Sequence, residues 1–259
     1  MQISCAFPPG PHVVDHIVEA ERLGYERAWL FDSPALYGDI WVIAALAAQR
    51  TTRIALGPAV LVPDLRHPLA QASAIATLEQ LVPGRVAVAI GTGFTGRMAM
   101  GQKPLTWAWT RRYVEQLRAL LRGEKVDVDG AIVQMLHGSE FAPPRPIRTP
   151  IVIAANGPKG LAVARELGDG VMTIGGGDHD FDWCSVLAFG TVLDDGESPG
   201  SEAPSRPPAP RSPSSTTPCT KETPRPSTRC RVGSNGANGW RRFPATNGTS
   251  RCTTTISCG

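Results

Sequence analysis

The stretch from residue 52 to residue 96 constrains the fold more than any other part of this 259-residue chain. Ile54–Leu56 and Val86–Ile90 are uninterrupted apolar runs, which is typical of strands buried on both faces. Between them, residues 67–81 carry apolar side chains at three- and four-residue spacing, and this pattern predicts a helix. Two parallel strands joined through a helix form a right-handed crossover unit, so the functional loops are expected at the carboxyl ends of the strands.

The same alternation of strand and helix continues through residues 1–195 and predicts one α/β domain, a (β/α)8 TIM barrel. Further strands are predicted at residues 3–7, 27–31, 151–155, 171–174 and 186–192, and further helices at residues 12–23, 39–48, 107–121 and 158–167. This makes seven strands where a complete barrel has eight, so we expect the barrel to be incomplete at its C-terminal end. Residues 123–150 are expected to form an insertion over the mouth of the barrel.

Residues 196–259 differ in composition from the rest, because they are rich in Ser, Pro, Thr and Arg, and they predict a disordered tail. Residues 1–200 contain 17 Lys and Arg against 21 Asp and Glu, whereas residues 201–259 contain 9 against 2. Plausible GC-rich codons for the tail, read two bases later, give an amphipathic and helix-rich sequence. We therefore interpret the tail as the product of a frameshift, and we do not take its basic charge to indicate nucleic-acid binding.

Targeting and metal-binding patterns are not found in the sequence. No basic start leads into an apolar segment and no run approaches 18 apolar residues, so neither a signal peptide nor a membrane span is predicted. We expect no metal site, no membrane partner and no nucleic-acid partner. The expected location is the cytoplasm, and a homodimer is left open.

The glycine loop at residues 91–96, GTGFTG, matches the GxGxxG pattern of dinucleotide-binding domains. That interpretation requires the loop to follow a first strand and to open directly into a helix. Here the loop follows the fourth predicted strand, and Lys103-Pro104 interrupts the segment after it. We interpret the glycines as positions where the backbone approaches a bound cofactor, with Thr92 and Gly93 as contacts.

A turn between the strand at residues 151–155 and the following helix is a candidate phosphate site. Free N–H groups at the start of a helix favour a phosphate, and a neighbouring ammonium adds positive charge. The residues concerned are Ala155, Asn156, Gly157, Pro158 and Lys159. A well-capped turn without a ligand is the alternative. Gly175 and Gly176 follow the next strand and either complete the phosphate site or form a flexible exit loop.

Four segments together resemble a known family. They are AERLGYERAWLFD at residues 20–32, LGPAVLVPDLRHP at 56–68, LVPGR at 81–85 before a strand that ends in GTG, and AANGPKGLAVARELGDGVM at 154–172. Their order resembles the bacterial luciferase-like (LLM) oxidoreductases, and more narrowly the branch that uses coenzyme F420 and includes methylene-tetrahydromethanopterin reductases. The resemblance extends over about residues 3–195 and implies a TIM barrel of the luciferase-like type.

The resemblance implies an enzyme that transfers hydride between coenzyme F420 and a small organic substrate. An FMN-dependent monooxygenase is the alternative within the family, because the two cofactors share one site. A truncated barrel without activity is the alternative outside it, because the eighth strand is missing. Family members hold the cofactor phosphate near the turn at residues 155–159.

The resemblance also implies roles for single residues. Asp32 matches an acidic residue near the deazaflavin ring and is the catalytic candidate, with a turn or helix cap as the alternative. Ser33 stands where family members often have His, which argues against a sugar-phosphate dehydrogenase. Ala59-Val60 matches a non-proline cis peptide that supports the ring. Apart from the resemblance, the aromatic residues Phe7 and Trp107 are candidates for the substrate wall, and packing in the core is an equal alternative.

Overall fold

Strands and helices alternate along most of the chain, as the sequence predicts. The computed structural model describes residues 2–175 and 180–189, together with three short strands beyond them. Its helices are α1 (Val13–Arg22), α2 (Ile40–Arg50), α3 (Pro68–Leu81), α4 (Phe94–Ala99), α5 (Trp107–Arg122) and α6 (Pro158–Leu167), with a 3-10 turn at Pro63–Leu65. Its strands are β1 (Gln2–Phe7), β2 (Arg27–Leu30), β3 (Ala55–Pro58), β4 (Val88–Ile90), β5 (Val126–Val128), β6 (Ala131–Val133), β7 (Ile151–Ala154), β8 (Gly170–Ile174), β9 (Cys184–Phe189), β10 (Arg229–Arg231), β11 (Trp240–Arg242) and β12 (Thr253–Cys258).

The main sheet curves into a barrel. Its eight strands follow the order β3-β2-β1-β12-β9-β8-β7-β4. Parallel bridges between Leu56 and Val86 and between Leu61 and Ile90 connect the first and last strands of this order. The pairs β1-β2, β2-β3, β4-β7, β7-β8 and β8-β9 are all parallel. The structure thus confirms the predicted α/β barrel and all seven of its predicted strands.

Four alanines and a valine, together with Trp29 and Met172, fill the inside of the barrel, and mostly larger side chains pack between the sheet and the helices. The interior cluster is formed by Ala6, Trp29, Ala59, Ala87, Ala89, Val152 and Met172. Two outer clusters pack the strands against α1 and α2 and against α3, α5 and α6. Gly57 allows β3 to approach β4 closely, because a Cβ atom at this position would overlap the carbonyl oxygen of Ala87.

The segment between β4 and β7 differs from the sequence predictions in two ways. The short helix α4 follows Gly93, whose φ of 79° is a conformation that glycine adopts readily. Six residues are too few for periodicity to indicate a helix. Residues 123–150 do not cover the mouth of the barrel: Ile147 N–H donates to the carbonyl oxygen of Leu121 at the end of α5 (2.9 Å). That prediction was wrong because a connection from a helix to the next strand returns to the amino ends of the strands.

The predicted absence of a further strand after residue 192 is also corrected. Strand β12 lies between β1 and β9 and pairs antiparallel with both, for example Ile3 with Ile256 and Val186 with Ile256. Its sequence, TTTISC, is rich in β-branched residues, which favour extended backbone. The pairing supplies hydrogen-bond partners to two strand edges that would otherwise face the gap.

Residues 190–252 form a second compact unit, separate from residues 1–189 and 253–259. Within this unit the described part is a hairpin in which β10 pairs antiparallel with β11, from Arg229–Arg242 to Arg231–Trp240. The rest of the predicted tail lies outside the described residues. The boundary between residues 195 and 196 and the frameshift origin of the tail stay predictions. No described helix has the length and apolar character needed to cross a membrane.

Candidate functional site

A cavity of about 550 Å³ opens at the carboxyl ends of the barrel strands. The loops after β2, β3, β4 and β7 all contribute to its walls. The predicted site residues that line it are Asp32, Ala59, Val60, Thr92, Gly93, Trp107, Ala155 and Asn156. The fold thus brings to one cavity residues that lie as much as 124 positions apart, from Asp32 to Asn156. This volume lies within the range of about 300–1,000 Å³ that is usual for small-molecule sites.

The bulge after β3 forms one wall of the cavity. The Ala59–Val60 peptide bond is cis, as the family resemblance predicts for this position. On one side Ala59 N–H donates to the carbonyl oxygen of Leu30 (2.7 Å), and on the other Leu61 N–H donates to that of Ala89 (2.7 Å). A Cβ atom at Gly91 would come within 2.7 Å of Val60 Cγ1. The bulge is therefore held between β2 and β4, and glycine is needed beside it.

Asp32 presents a buried carboxylate to the cavity. Its Oδ2 accepts a hydrogen bond from Val62 N–H (3.1 Å), and its Oδ1 lies 3.9 Å from Arg66. Burial raises the pKa of the Asp32 carboxyl above its ordinary value, while the Val62 N–H and the Arg66 guanidinium oppose that rise. The interpretation as a simple helix cap does not fit, because Asp39 caps α2 by accepting from Trp41 N–H (2.9 Å).

Arg66 connects this carboxylate to the surface, and sequence reasoning missed it. Its guanidinium forms an ion pair with Asp39, and its carbonyl oxygen accepts a hydrogen bond from the Tyr113 hydroxyl (3.0 Å). Burial raises the pKa of Tyr113, which keeps the hydroxyl protonated as a donor. The signal in the sequence was the Arg-His-Pro segment before α3, which indicates a helix start and says nothing of the partner 34 residues earlier.

The predicted phosphate turn lies at the start of α6, beside the cavity. The Asn156 amide is bound to β8: its Nδ2 donates to Ile174 O (2.7 Å) and its Oδ1 accepts from Ile174 N–H (3.2 Å). Gly157, Pro158, Lys159 and Gly175 are not among the residues that line the cavity. Lys159 is exposed and forms no ion pair within the described part of the chain. Gly176 lies outside the described residues.

The two predicted substrate residues differ in their placement. Trp107 lines the cavity, and its ring also covers Gly160 in the first turn of α6, where a Cβ atom would overlap it. Phe7 does not line the cavity, because its ring lies 6.1 Å from that of His16 in α1. Successive side chains of a strand point to opposite faces, so Ala6 faces the cavity instead. The assignment of Phe7 to the substrate wall is corrected to packing on the helix side.

Sequence reasoning also missed most of the apolar wall. The further lining residues with large apolar or aromatic side chains are Trp29, Phe31, Tyr37, Val62, Phe94, Met172, Ile174 and Leu187. Trp29 and Phe31 are two residues apart on and just after β2, so the period of two was a usable signal once one of them was placed inward. Phe94 and Tyr37 lie on connections, for which periodicity carries no information.

Comparison with known proteins agrees with the resemblance found in the sequence. The family model described as luciferase-like monooxygenase matches residues 6–182. The 5,10-methylenetetrahydromethanopterin reductase of Archaeoglobus fulgidus is 33% identical over 169 residues, which cover 63% of this chain and 49% of that protein. The F420-dependent glucose-6-phosphate dehydrogenase of Nocardia farcinica is 35% identical over 185 residues, which cover 64% of this chain and 54% of that protein.

Solved structures share the fold. The coenzyme F420-dependent tetrahydromethanopterin reductase from Methanopyrus kandleri superimposes with a TM-score of 0.55 at 26% identity, over 67% of this chain and 55% of that one. The chain spans about half the length of the curated relatives it matches. The ligands and reactions of those longer proteins therefore support a proposal about this chain.

Proposed function

The chain belongs to the luciferase-like monooxygenase family, and on this premise we propose that it is an oxidoreductase that transfers hydride between coenzyme F420 and a small organic substrate. The observation that carries the proposal is that the buried carboxylate of Asp32 and the backbone bulge at Ala59–Val60 face one cavity at the carboxyl ends of the strands. The F420-dependent relatives support the choice of cofactor. A cytoplasmic location and a homodimer stay predictions.

The turn before α6 fits a phosphate group. Gly157 has an extended backbone (φ −98°, ψ 162°) that any residue adopts, and a Cβ atom there would meet no atom within 4 Å. Since neither the backbone nor a neighbour requires glycine, the open space suits the close approach of a ligand. The N–H of Lys159 at the start of α6 has no acceptor among the described residues. Gly157, Lys159 and, across the turn, Gly175 are the residues that would hold the cofactor phosphate.

The cavity suits the ring system of a deazaflavin, which supplies the hydride-accepting and hydride-donating carbon when bound. The backbone at Ala59–Val60, with Gly91 beside it, offers a wall without bulky side chains. Thr92, Gly93 and Ala155 flank the same space. Apolar walls exclude water from the ring face, which protects a hydride from loss to solvent.

We propose that Asp32 exchanges the proton that accompanies hydride transfer. Its Oδ2 accepts from Val62 N–H, and its Oδ1, which accepts no hydrogen bond from the described residues, is the oxygen that would carry the exchanged proton. Because burial raises its pKa, the carboxyl stays protonated to a higher pH than an exposed aspartate does. The Arg66 guanidinium, 3.9 Å from Oδ1, supports the ionised form once the proton has left.

FMN is the second candidate cofactor, because it also ends in a phosphate and the apolar cavity does not discriminate between the two rings. The F420 tail carries further carboxylates beyond the phosphate, and these favour a free cation nearby. Lys159 is such a cation, whereas Arg97 is already paired with Asp64. Titration of the full chain with F420 and with FMN, followed by cofactor fluorescence, tests the proposal. We expect F420 to bind at least tenfold more tightly. Tighter binding of FMN would overturn the F420 assignment, and binding of neither would favour the inactive truncated barrel.

The contribution of Lys159 gives a sharper test at the phosphate turn. Lys159→Ala should weaken cofactor binding by about 1.5–3 kcal/mol, roughly 10- to 150-fold, because a charge-assisted hydrogen bond is lost. The melting temperature of the cofactor-free protein should not change, because Lys159 is exposed. Lys125→Ala, at an exposed position before β5, is the matched control and should leave the dissociation constant unchanged. An equal affinity of the Lys159 variant and the parent would favour the ligand-free capped turn.

A further inference from the structure

The walls of the cavity carry no cationic side chain within the described part of the chain. Their ionisable groups are the carboxyl of Asp32 and the hydroxyl of Tyr37. An anion that enters such a space loses its hydration without gaining a counter-charge, which costs several kcal/mol or more. When ionised, the Asp32 carboxylate adds repulsion between like charges. The site is therefore unfavourable for a phosphorylated or carboxylated substrate body.

Lys159 at the phosphate turn is assigned to the cofactor, and the Arg27 guanidinium lies over the rings of Trp29 and Trp183, 5.1 and 4.6 Å from their centroids. Two further cations near the cavity, Arg66 and Arg97, form contacts away from it. Arg66 pairs with Asp39 and approaches Asp32 from behind. Arg97 pairs with Asp64, and its Nε donates to the carbonyl oxygen of Lys103 (2.6 Å). Moving either guanidinium into the cavity would break these contacts. The absence of a cationic side chain from the described walls is thus built into the fold and does not depend on one rotamer.

The rim of the cavity is apolar and exposed. The exposed fractions are 66% for Phe94 at the start of α4, 56% for Ile174 at the end of β8 and 39% for Tyr37 after β2. Phe94 and Tyr37 bring aromatic rings, and Ile174 an aliphatic chain, to the opening that any substrate must pass. Large apolar side chains left in water at a cavity mouth are available to bury the surface of an apolar ligand.

We propose that this site selects an uncharged organic substrate with an apolar or aromatic body, and that Phe94 is a specificity-determining residue for it. The inference rests on the proposed function, because the substrate fills the part of the cavity that the deazaflavin ring leaves open. The proposed preference for an uncharged substrate distinguishes this chain from the F420-dependent glucose-6-phosphate dehydrogenase to which it is similar. The absence of cationic walls carries that distinction independently of Ser33.

Two probes with the same ring, one of them phosphorylated, test the preference. 2-Naphthol and 2-naphthyl phosphate share one ring, and their binding to the full chain is measured by isothermal titration calorimetry, before and after addition of F420. We expect naphthol to bind at least tenfold more tightly than its phosphate ester. Equal or tighter binding of the ester, or no binding of naphthol, would overturn the inference.

Variants of α4 identify the residue responsible. Phe94→Ala should weaken naphthol binding three- to tenfold, and Phe94→Arg should raise the affinity for the phosphate ester. Met98→Ala is the matched control, because Met98 lies on the same helix, is 56% exposed and does not line the cavity. An equal loss in the Met98 variant, or no loss in the Phe94 variants, would remove Phe94 from the proposal. F420 titration on the same preparation distinguishes the proposed function from the substrate preference. If the protein binds naphthol preferentially but does not bind F420, only the proposed function is overturned.

Discussion

At the residue scale, the most consequential side chain is Asp32, because its burial and its partners have opposite effects on its ionisation. Its side chain is only 4% exposed, which disfavours the charged form. Val62 N–H and Arg66 favour the charged form, but they do not offset the burial. The folded pKa is therefore raised above the unfolded one. The contribution of this pKa difference to the stability of the folded state is fully present below the unfolded pKa, near 3.9. It is lost as the pH rises through the folded pKa.

Asp32→Asn should make the protein more stable at pH 7, since the variant keeps an acceptor for Val62 N–H and never carries the buried charge. We expect the melting temperature to rise by a few degrees, at about 2–4 °C per kcal/mol for a chain of this size. The difference should vanish near pH 3, where Asp32 is protonated in both states. Thermal unfolding followed by circular dichroism at pH 3, 5 and 7 measures it.

Asp15→Asn is the control for this experiment, because that side chain is 73% exposed and its loss should have little effect. A variant that is destabilised at pH 7 would mean that the attraction to Arg66 outweighs the burial of Asp32. Turnover supplies the second readout. If Asp32 exchanges the proton, the same substitution should lower the rate by about 10²–10⁴-fold.

At the element scale, the approach of β3 to β4 depends on Gly57. Two isolated bridges join these strands in place of a regular ladder, through bonds such as Leu56 N–H to Arg85 O (2.7 Å) and Ala87 N–H to Leu56 O (3.2 Å). The bulge that carries Ala59–Val60 follows immediately, so the position of that cavity wall depends on how closely the strands meet.

Gly57→Ala should destabilise the protein by about 3 kcal/mol or more, because the new methyl group meets backbone at Ala87 that cannot rotate away. Urea unfolding measures the change. Gly157→Ala is the matched control: its Cβ atom meets nothing within 4 Å and its φ of −98° suits alanine, so stability should stay within about 0.5 kcal/mol. The control variant should nevertheless bind the cofactor more weakly. Equal stability of the two variants would show that β3 can shift without cost.

At the scale of the whole molecule, the direction of strand β12 differs from that expected in a (β/α)8 barrel. The eight strands of a (β/α)8 barrel are parallel, whereas β12 is antiparallel to both β1 and β9. A gap between two unpaired edges accepts a β-prone segment in either direction, because both directions satisfy the backbone groups. The antiparallel pairing is thus compatible with a tail whose sequence did not evolve for this place.

Restoring the shifted reading frame should therefore replace β12 by a parallel eighth strand. We expect the melting temperature to rise by roughly 10 °C, equal to a few kcal/mol at this chain length. In the chain as it stands, trypsin should cleave at the arginines between residues 206 and 251 and leave residues 2–175 intact. Gel electrophoresis and mass spectrometry of the fragments measure this. Protection of the segment from residue 219 to residue 252 would contradict the frameshift interpretation.

The sequence alone determined the order of seven barrel strands and five helices, because each depends on local spacing of apolar residues and on the prolines and glycines that end them, but it missed α4 and β12. It also located the start of α6 at Pro158, where local backbone chemistry decides, while the position of the cis peptide at Ala59–Val60 came from the family resemblance. Only the tertiary structure decided which side chains meet in the cavity. In a strand buried on both faces, both faces are apolar, so the pattern could not tell that Ala6 points inward and Phe7 outward. The pairing of Asp32 with Arg66 and Val62 N–H required the strands to close into a ring, since closure sets the distances between loops that are far apart in the chain.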